Sequence, residues 1–213
     1  MTRRLTDRGR ERRQQIIELA THRFADGGYD RTSVAEIVTT LGVGKGVFYW
    51  YFDSKEELFQ EILREAMKDL RRSQQQVIAD VDDPVERLRL GIRASARWWA
   101  DHRDLYRLLE FAGTQQDFAR SIRKGREVAV GDTMKHVRDA IDRGLIRDVD
   151  PLYIAHAILA VTSQLVGVFV HQKGNEPDLV ADMAASFVLE GILRPADERF
   201  EATGDGRALN PAS

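Results

Sequence analysis

The stretch SVAEIVTTLGVGKGVFYWYF, residues 33–52, constrains the fold more than any other part of this chain. Ser33 and Glu36 form the S-x-x-E pattern of a capping box, which predicts that a helix begins at Val34. Gly42 stands where a tight turn needs a residue tolerant of positive φ, and Phe48 gives the next segment an inward apolar side. The stretch therefore predicts a helix-turn-helix, whose second helix is shaped to enter the DNA major groove.

The segments on both sides of this motif favour the same arrangement. Upstream, apolar residues recur at helical spacing over residues 16–24, and Gly27-Gly28 supplies a stop. Downstream, Ser54 and Glu57 form a second capping box, which predicts the start of a long helix. Three helices followed by a longer one are expected.

This pattern, FADGGYDRTSVAEI followed by LGVGKGVFYWYFDSKEELF, closely resembles the TetR family of transcriptional regulators. The resemblance covers roughly the first third of the chain. It implies a DNA-binding domain followed by a helical domain that dimerises and holds a small-molecule effector. It further implies a ligand-responsive regulator, most simply a repressor that binds a (pseudo)palindromic operator as a homodimer and is released by a small-molecule effector. The positions in register are Phe24, Gly28, Tyr29, Thr32, Gly42, Val43, Lys45, Gly46, Tyr49, Phe52, Lys55 and Leu58.

The expected DNA contacts lie on and around the second helix of the motif. Lys45 can donate to guanine or to a phosphate, and Val47 can meet a thymine methyl group. Tyr49 and Trp50 have polar tips that can contact phosphate oxygens. The alternative interpretation is that both aromatic rings pack between helices and that Lys45 is simply a solvated surface lysine. The predicted DNA-binding residues are Thr32, Ser33, Gly44, Lys45, Gly46, Val47, Tyr49, Trp50 and Lys55.

This chain departs from the usual family pattern at several positions of the motif. Gly44 stands where a Ser or Thr commonly caps the second helix, Val47 replaces a Thr, and Trp50 replaces a His. Val38 and Leu41 replace small alanines, which predicts a slightly wider spacing of the two helices. Since the groove face has no Arg, Asn or Gln, we expect operator identity to depend on DNA shape, backbone amides and an arginine arm.

Charge is distributed unevenly along the chain. The net charge is −2, yet residues 1–52 contain nine Lys and Arg against six Asp and Glu, and residues 1–13 alone contain six Arg. A basic arm over residues 1–13 suits phosphate contact, and a solvated tail is the alternative interpretation. The chain has no Cys, which excludes disulfides and thiolate metal sites and fits a reducing cytoplasm.

The remainder predicts an all-α chain of about nine helices, because each segment has helical periodicity and none alternates like a strand. Asp83-Pro84 and Asp150-Pro151 each combine an N-cap with a proline at the first helical position. Residues 151–172 contain no charged residue, but their polar side chains favour a buried helix over a membrane span, so no membrane partner is expected. The expected organisation is a basic arm (1–13), a helix-turn-helix domain (10–70, motif 33–52), an effector-binding and dimerisation domain (71–200) and a disordered tail (201–213).

Two groups of residues are candidates for roles in the second domain. Aromatic residues concentrate near helix ends in the middle of the chain and together predict an apolar pocket for a hydrophobic or aromatic effector, whereas ordinary core packing explains each of them better when it is taken singly. The last two helices have more apolar surface than one domain buries, which predicts a two-fold interface. The pocket candidates are Trp98, Trp99, His102, Tyr106, Phe111, Phe118, Met134, His156 and Gln164, and the interface candidates are Val161, Leu165, Val168, Phe169, Met183, Phe187 and Ile192.

The sequence gives little support to an enzyme. The five histidines show no metal-binding spacing, and the chain contains no G-x-S-x-G, P-loop or G-x-G-x-x-G motif. We therefore expect no catalytic residues, no cofactor and no metal. The alternative function is an architectural or replication-linked DNA-binding factor without an effector.

Overall fold

The structure is a computed structural model that describes residues 6–193. In this range the chain is all-α, and its one β-type pairing is an isolated antiparallel bridge between Ile146 and Leu193. Residues 6–193 form nine α-helices: α1 (Asp7–Gly27), α2 (Val34–Thr40), α3 (Lys45–Tyr51), α4 (Lys55–Ile78), α5 (Pro84–Asp101), α6 (Arg103–Thr114), α7 (Ala119–Asp142), α8 (Pro151–Leu165) and α9 (Pro177–Ile192).

The predicted helix starts are confirmed by side-chain caps. Ser33 Oγ accepts a hydrogen bond from the Glu36 amide at 3.1 Å, and Ser54 Oγ accepts one from the Glu57 amide at 3.0 Å. Asp83 and Asp150 cap α5 and α8 in the same way, each followed by proline at the first helical position. Such caps satisfy amides that have no partner within the helix, which fixes where each helix begins.

Helix α1 begins earlier than the sequence analysis predicted. Thr6 caps it, accepting from the Gly9 amide at 3.2 Å, so residues 7–13 are helical and do not form a flexible arm. Arg13 is fixed by ion pairs with Glu61 and Glu65 of α4. Residues 1–5, residues 194–200 and the predicted tail 201–213 lie outside the described residues.

The predicted helix over residues 151–171 is present but changes its winding. Its last part, Val166–Gln172, is π-helical. Gly167 lies directly against Tyr106 of α6, because a Cβ on this glycine would stand 2.1 Å from the Tyr106 hydroxyl oxygen. Segments of π-helix are rare, and they occur mostly within α-helices and frequently at functional sites. Helical periodicity in the sequence does not reveal this one.

Helix α6 joins the two halves of the protein. Its Leu108 and Ala112 are buried with α1–α3 and the start of α4, together with Phe118 from a short 3₁₀ turn, Gln116–Phe118. On another side of α6, Tyr106 is buried with residues of α4, α5, α8 and α9. A movement of α6 therefore affects both the helix-turn-helix core and the second domain.

Candidate nucleic-acid interface

The turn between α2 and α3 has the geometry of a helix-turn-helix. Gly42 adopts φ of +66°, and its amide donates to the Thr39 carbonyl at 3.0 Å. The Val43 amide donates to the Val38 carbonyl at 2.9 Å, which closes the turn. Phe48 is fully buried and anchors α3 on the core. An L-residue is strained at this φ, so a glycine is needed at position 42.

Helix α3 presents an exposed face of mixed chemistry. Lys45 is exposed, and the aromatic side chains of Tyr49 and Trp50 are 54% and 49% exposed. Neither Gly44 nor Gly46 has an atom within 4 Å of the position a Cβ would occupy. The face thus combines bare backbone, one cation and two aromatic rings with polar tips, which are suitable groups for contact with phosphates and base edges.

Two of the predicted DNA-binding residues point inward instead. Thr32 is 2% exposed, and its hydroxyl donates to the Gly28 carbonyl at 2.9 Å, so the hydroxyl is not available to a phosphate. Lys55 Nζ donates to the Tyr29 and Thr32 carbonyls at 3.0 and 3.3 Å and lies 4.2 Å from the centre of the Tyr29 ring. Both side chains hold the α1–α2 loop against α4, so the predicted phosphate contacts at these helix starts rest on backbone amides alone.

The loop anchored by Lys55 also contributes to the core. The Tyr29 hydroxyl donates to Glu56 at 3.1 Å, and its ring packs edge-on against Phe59 and Phe118. Burial and the Glu56 carboxylate raise the pKa of Tyr29, so this side chain remains a neutral donor. The Ser33 hydroxyl is used as the α2 cap, while Val47 is half-buried at the edge of the exposed face.

Helices α8 and α9 expose an apolar stripe on the opposite part of the protein. Phe187 is 69% exposed and Tyr153 is 72% exposed, while Met183 and Leu179 of α9 are also exposed. Between the helices runs an open groove of about 510 Å³ lined by Tyr153, Ile154, Ala157, Val161, Phe187, Val188, Glu190, Gly191 and Ile192. A continuous exposed apolar surface of this kind is characteristic of a protein–protein interface.

The predicted interface residues divide between this stripe and the interior. Val161, Met183, Phe187 and Ile192 lie on or beside the stripe. Leu165, Val168 and Phe169 are instead half-buried, and Leu165 and Phe169 pack against the core around Trp99. Leu165 is the last residue of α8, and Val168 and Phe169 belong to the π-helical segment, so their place in an interface stays a prediction.

Tyr153 is an interface candidate that the sequence analysis missed. It stands four and eight residues before Ala157 and Val161, which places all three on one face of α8. The prediction counted Tyr153 as a polar residue that argued against membrane insertion. Its spacing from Val161 was the signal that could have identified it.

The predicted pocket residues of α5 and α6 form one aromatic cluster. Trp98 is stacked on His102 with ring centroids 4.1 Å apart, and its Nε1 donates to Asp69 at 2.9 Å. Trp99 and Tyr106 are in edge-to-face contact at 5.9 Å. Burial and the carboxylate of Glu110 raise the pKa of Tyr106 to about 12, which keeps its hydroxyl protonated.

His171 completes this cluster and was not among the predicted residues. Its Nε2–H donates to the Trp99 carbonyl at 3.0 Å, and its ring lies 5.0 Å from that of Tyr106. Burial lowers the pKa of His171, and the charge of Arg103 acts in the same direction. The aromatic cluster, defined as Trp98, Trp99, His102, Tyr106 and His171, therefore has a neutral interior with oriented polar groups.

Four other predicted pocket residues lie away from this cluster. Phe118 is fully buried in the helix-turn-helix core, and Phe111 packs beside it. His156 and Gln164 are exposed on α8, because their spacing places them on the face that Tyr153 occupies. These positions correct the prediction. Met134 is half-buried on α7.

The geometry defines the class of protein: a helix-turn-helix DNA-binding domain attached to a helical domain with an exposed apolar stripe on α8 and α9. Two family models match the chain. The model of bacterial regulatory proteins, tetR family, matches residues 16–62, and the model of the tetracyclin repressor-like C-terminal domain matches residues 81–192. The chain belongs to the TetR family. It is a transcriptional regulator that binds operator DNA as a homodimer and responds to a small-molecule effector.

Two relatives and one solved structure match this chain over most of its length and of theirs. The uncharacterized HTH-type transcriptional regulator YhgD of Bacillus subtilis (strain 168) is 26% identical over 200 residues, which cover 85% of this chain and 97% of the relative. The probable HTH-type transcriptional regulator ArpR of Pseudomonas putida is 32% identical over 178 residues, 78% of this chain and 84% of the relative. The crystal structure of AibR in complex with isovaleryl coenzyme A and operator DNA matches with a TM-score of 0.70 and 26% identity, over 83% of this chain and 97% of that one.

Proposed function

We propose that this regulator reads its operator with the exposed face of α3, using Lys45, Tyr49 and Trp50 together with the backbone at Gly44 and Gly46. The observation that carries the proposal is the exposure of this face on a helix that is anchored by a fully buried Phe48. A homodimer presents the face twice, which suits a palindromic operator with half-sites about one helical turn apart. The solved complex of AibR contains operator DNA, which supports the same mode of action.

Lys45→Ala and Tyr49→Ala are expected to weaken operator binding without changing the oligomeric state. Each side chain contributes about 1–3 kcal/mol, and the substitution removes it from both protomers of the dimer. Fluorescence anisotropy with operator DNA measures the affinity, and light scattering measures the mass. Lys68→Ala, at an exposed lysine of α4, is the matched control and should bind like the parent protein. Parental affinity in both α3 variants would contradict the proposed reading face.

We propose that the basic residues near the start of α1 add a second contribution to DNA affinity, one that does not depend on the DNA sequence. Within the described residues, Arg8 and Arg12 make no ion pair, whereas Arg13 is paired with Glu61 and Glu65. We expect Arg8→Ala and Arg12→Ala to weaken binding to every DNA sequence and to lower the salt slope by about one for each phosphate that is no longer neutralised. Affinities measured between low and moderate salt test this. A slope identical to that of the parent would show that these arginines do not touch DNA.

We propose that the effector binds at the aromatic cluster of α5, α6 and the π-helical segment, with Met134 of α7 as a further candidate. The cluster consists of large apolar rings with a few oriented polar groups, as in small-molecule sites. A hydrophobic or aromatic effector fits this chemistry. If the effector favours a position of α6 that differs from the one in the DNA complex, operator binding is weakened and repression is relieved.

Tryptophan fluorescence provides a direct test of this effector site. Trp98 and Trp99 belong to the cluster, and Trp50 lies on the DNA-binding face. In a Trp50→Phe background all remaining tryptophan emission arises from the cluster. An aromatic or acyl compound that raises the melting temperature is expected to change this emission. A compound that stabilises the protein and releases DNA with unchanged emission would place the site elsewhere.

The finer functional assignments also remain proposals. We propose that the protein works in the cytoplasm, with its DNA, and acts by binding without catalysing a reaction. Membership of a family of DNA-binding regulators supports both. Pro151–Gln172 is long and apolar enough to cross a membrane, and a third of its most apolar window is buried within the protomer.

A further inference from the structure

The first two turns of α7 present a concentration of positive charge on their outer face. The segment RSIRKGR, residues 120–126, contains four cations. Arg120, Arg123 and Lys124 stand at positions i, i+3 and i+4, so one face of the helix presents all three. Each of them is exposed, whereas Ile122 on the opposite face packs against the helix-turn-helix core. These three residues are called the α7 basic face.

No carboxylate neutralises the α7 basic face within the described part of the chain. The ion pairs of α7 begin about two turns further along, at Asp132, which pairs with Arg71 and Lys135. Glu127 is exposed on the same side of the helix and forms no ion pair among residues 6–193. The cations of the face are therefore available to a partner outside the protomer.

The positive charge also opposes the local structure of α7. The helix begins without a side-chain cap and without an acidic residue in its first turn, and Arg120 stands in that turn. The positive end of the helix dipole repels a cation there, and like charges three or four residues apart repel one another. Helices α4, α5 and α9 instead have acidic residues in their first turns. Charges that destabilise their own helix and have no partner within the protomer indicate an external anionic partner.

The packing of α7 places the basic face beside the DNA-binding domain. Phe118 directly precedes α7, and its ring centre lies 4.4 Å from that of Phe59, about one turn after the start of α4. Gly125 lies against Met67, about two turns further along α4. Helix α7 therefore runs alongside α4 in the same direction, and its basic start lies near the end of α4 that follows α3. The polyanion that this protein binds on that domain is DNA.

We propose that the α7 basic face binds the phosphate backbone of the DNA that flanks the operator. The duplex continues past each half-site, and bending brings its phosphates towards α7. Such a contact adds affinity that depends on the salt concentration and on the length of the duplex, but not on the flanking sequence. The proposal rests on DNA binding by the dimer and is independent of the reading face proposed for α3, because the two surfaces contact different parts of the duplex.

Operator duplexes of two lengths test this proposal. The parent protein first selects its operator from a random-sequence library, and the selected site is placed in duplexes of about 20 and 50 base pairs, the shorter of which covers only two half-sites. Measured by anisotropy at low salt, the parent is expected to bind the longer duplex about tenfold more tightly and with a steeper salt dependence. The combined variant Arg120→Gln, Arg123→Gln and Lys124→Gln should lose this difference and bind the shorter duplex like the parent. Arg120→Lys with Arg123→Lys keeps the charge and should keep the difference.

A matched variant removes the same charge elsewhere. Lys68→Gln, Arg138→Gln and Arg147→Gln are substitutions of exposed cations outside the face, and their combination should bind both duplexes like the parent. Lys45→Ala should weaken binding to both lengths equally, which separates a failure of the α3 reading face from a failure of this proposal. Circular dichroism establishes that each variant is folded.

Three results would overturn the proposal. They are equal affinity of the parent for the two lengths, an unchanged length difference in the α7 variant, and an equal loss of that difference in the matched variant. The first two would leave an acidic protein surface as the remaining partner for the α7 basic face. The third would show that only the total charge of the protein matters.

Discussion

A Phe187→Asp protein is expected to be monomeric and to lose specific operator binding. Phe187 is 69% exposed in the protomer, and the two-fold axis of a dimer would bury it in both subunits. Burial of a phenylalanine contributes about 1.5–3 kcal/mol, and an unpaired carboxylate in its place adds a desolvation cost. A monomer presents a single α3 to the duplex, so affinity should fall by about a thousandfold or more towards non-specific binding.

Light scattering and anisotropy with operator DNA measure the two consequences separately. Val77→Asp is the control, because Val77 is also an exposed apolar residue but lies near the end of α4, outside the α8–α9 stripe. The control should remain dimeric and bind DNA normally. If Phe187→Asp stays dimeric at nanomolar concentration, the exposed stripe is not the dimer interface.

Gly167→Ala is expected to lower the free energy of unfolding by about 1–3 kcal/mol, the usual cost of overpacking a core. The added methyl group would stand 2.1 Å from the Tyr106 hydroxyl oxygen and 2.8 Å from the carbon that bears it. Neither atom can move freely, because the Tyr106 ring is held between Trp99 and His171. For a chain of this size the melting temperature should fall by about 2–10 °C.

A second background makes this prediction specific to the contact. In Tyr106→Leu the obstructing ring is absent, and Gly167→Ala should then be neutral or stabilising by up to about 1 kcal/mol, since alanine is the better helix former. Gly131→Ala on α7, where nothing lies within 4 Å of the added carbon, should be neutral or stabilising in both backgrounds. Equal destabilisation by Gly167→Ala with and without the Tyr106 ring would locate its cause in the backbone.

The elements that sequence reasoning predicts well are those fixed by local chemistry. The caps at Ser33, Ser54, Asp83 and Asp150 and the turn at Gly42 depend on neighbouring residues alone, and the structure confirms each of them. The start of α1 had the same kind of signal in Thr6 and Asp7. The six Arg of residues 1–13 predict a basic arm there instead.

The misplaced site residues depend on contacts between distant segments. Lys55 is used by carbonyls of the α1–α2 loop, about 23–26 residues away, and no local pattern predicts this. In α8 most residues are apolar, so periodicity alone does not distinguish the inward face from the exposed α8–α9 stripe. His156 and Gln164 were therefore assigned to the wrong side.

The glycine cap of α3 has a consequence for how the protein meets its operator. Helix α3 has seven residues, no side-chain hydrogen bond at its N-cap, and a second glycine at Gly46. So short a helix with these residues has little intrinsic stability and is held in place mainly by the packing of Phe48. Its amides should exchange with solvent quickly in the free protein and slowly once a duplex covers them, so part of the binding energy is used to order the segment that makes the contacts.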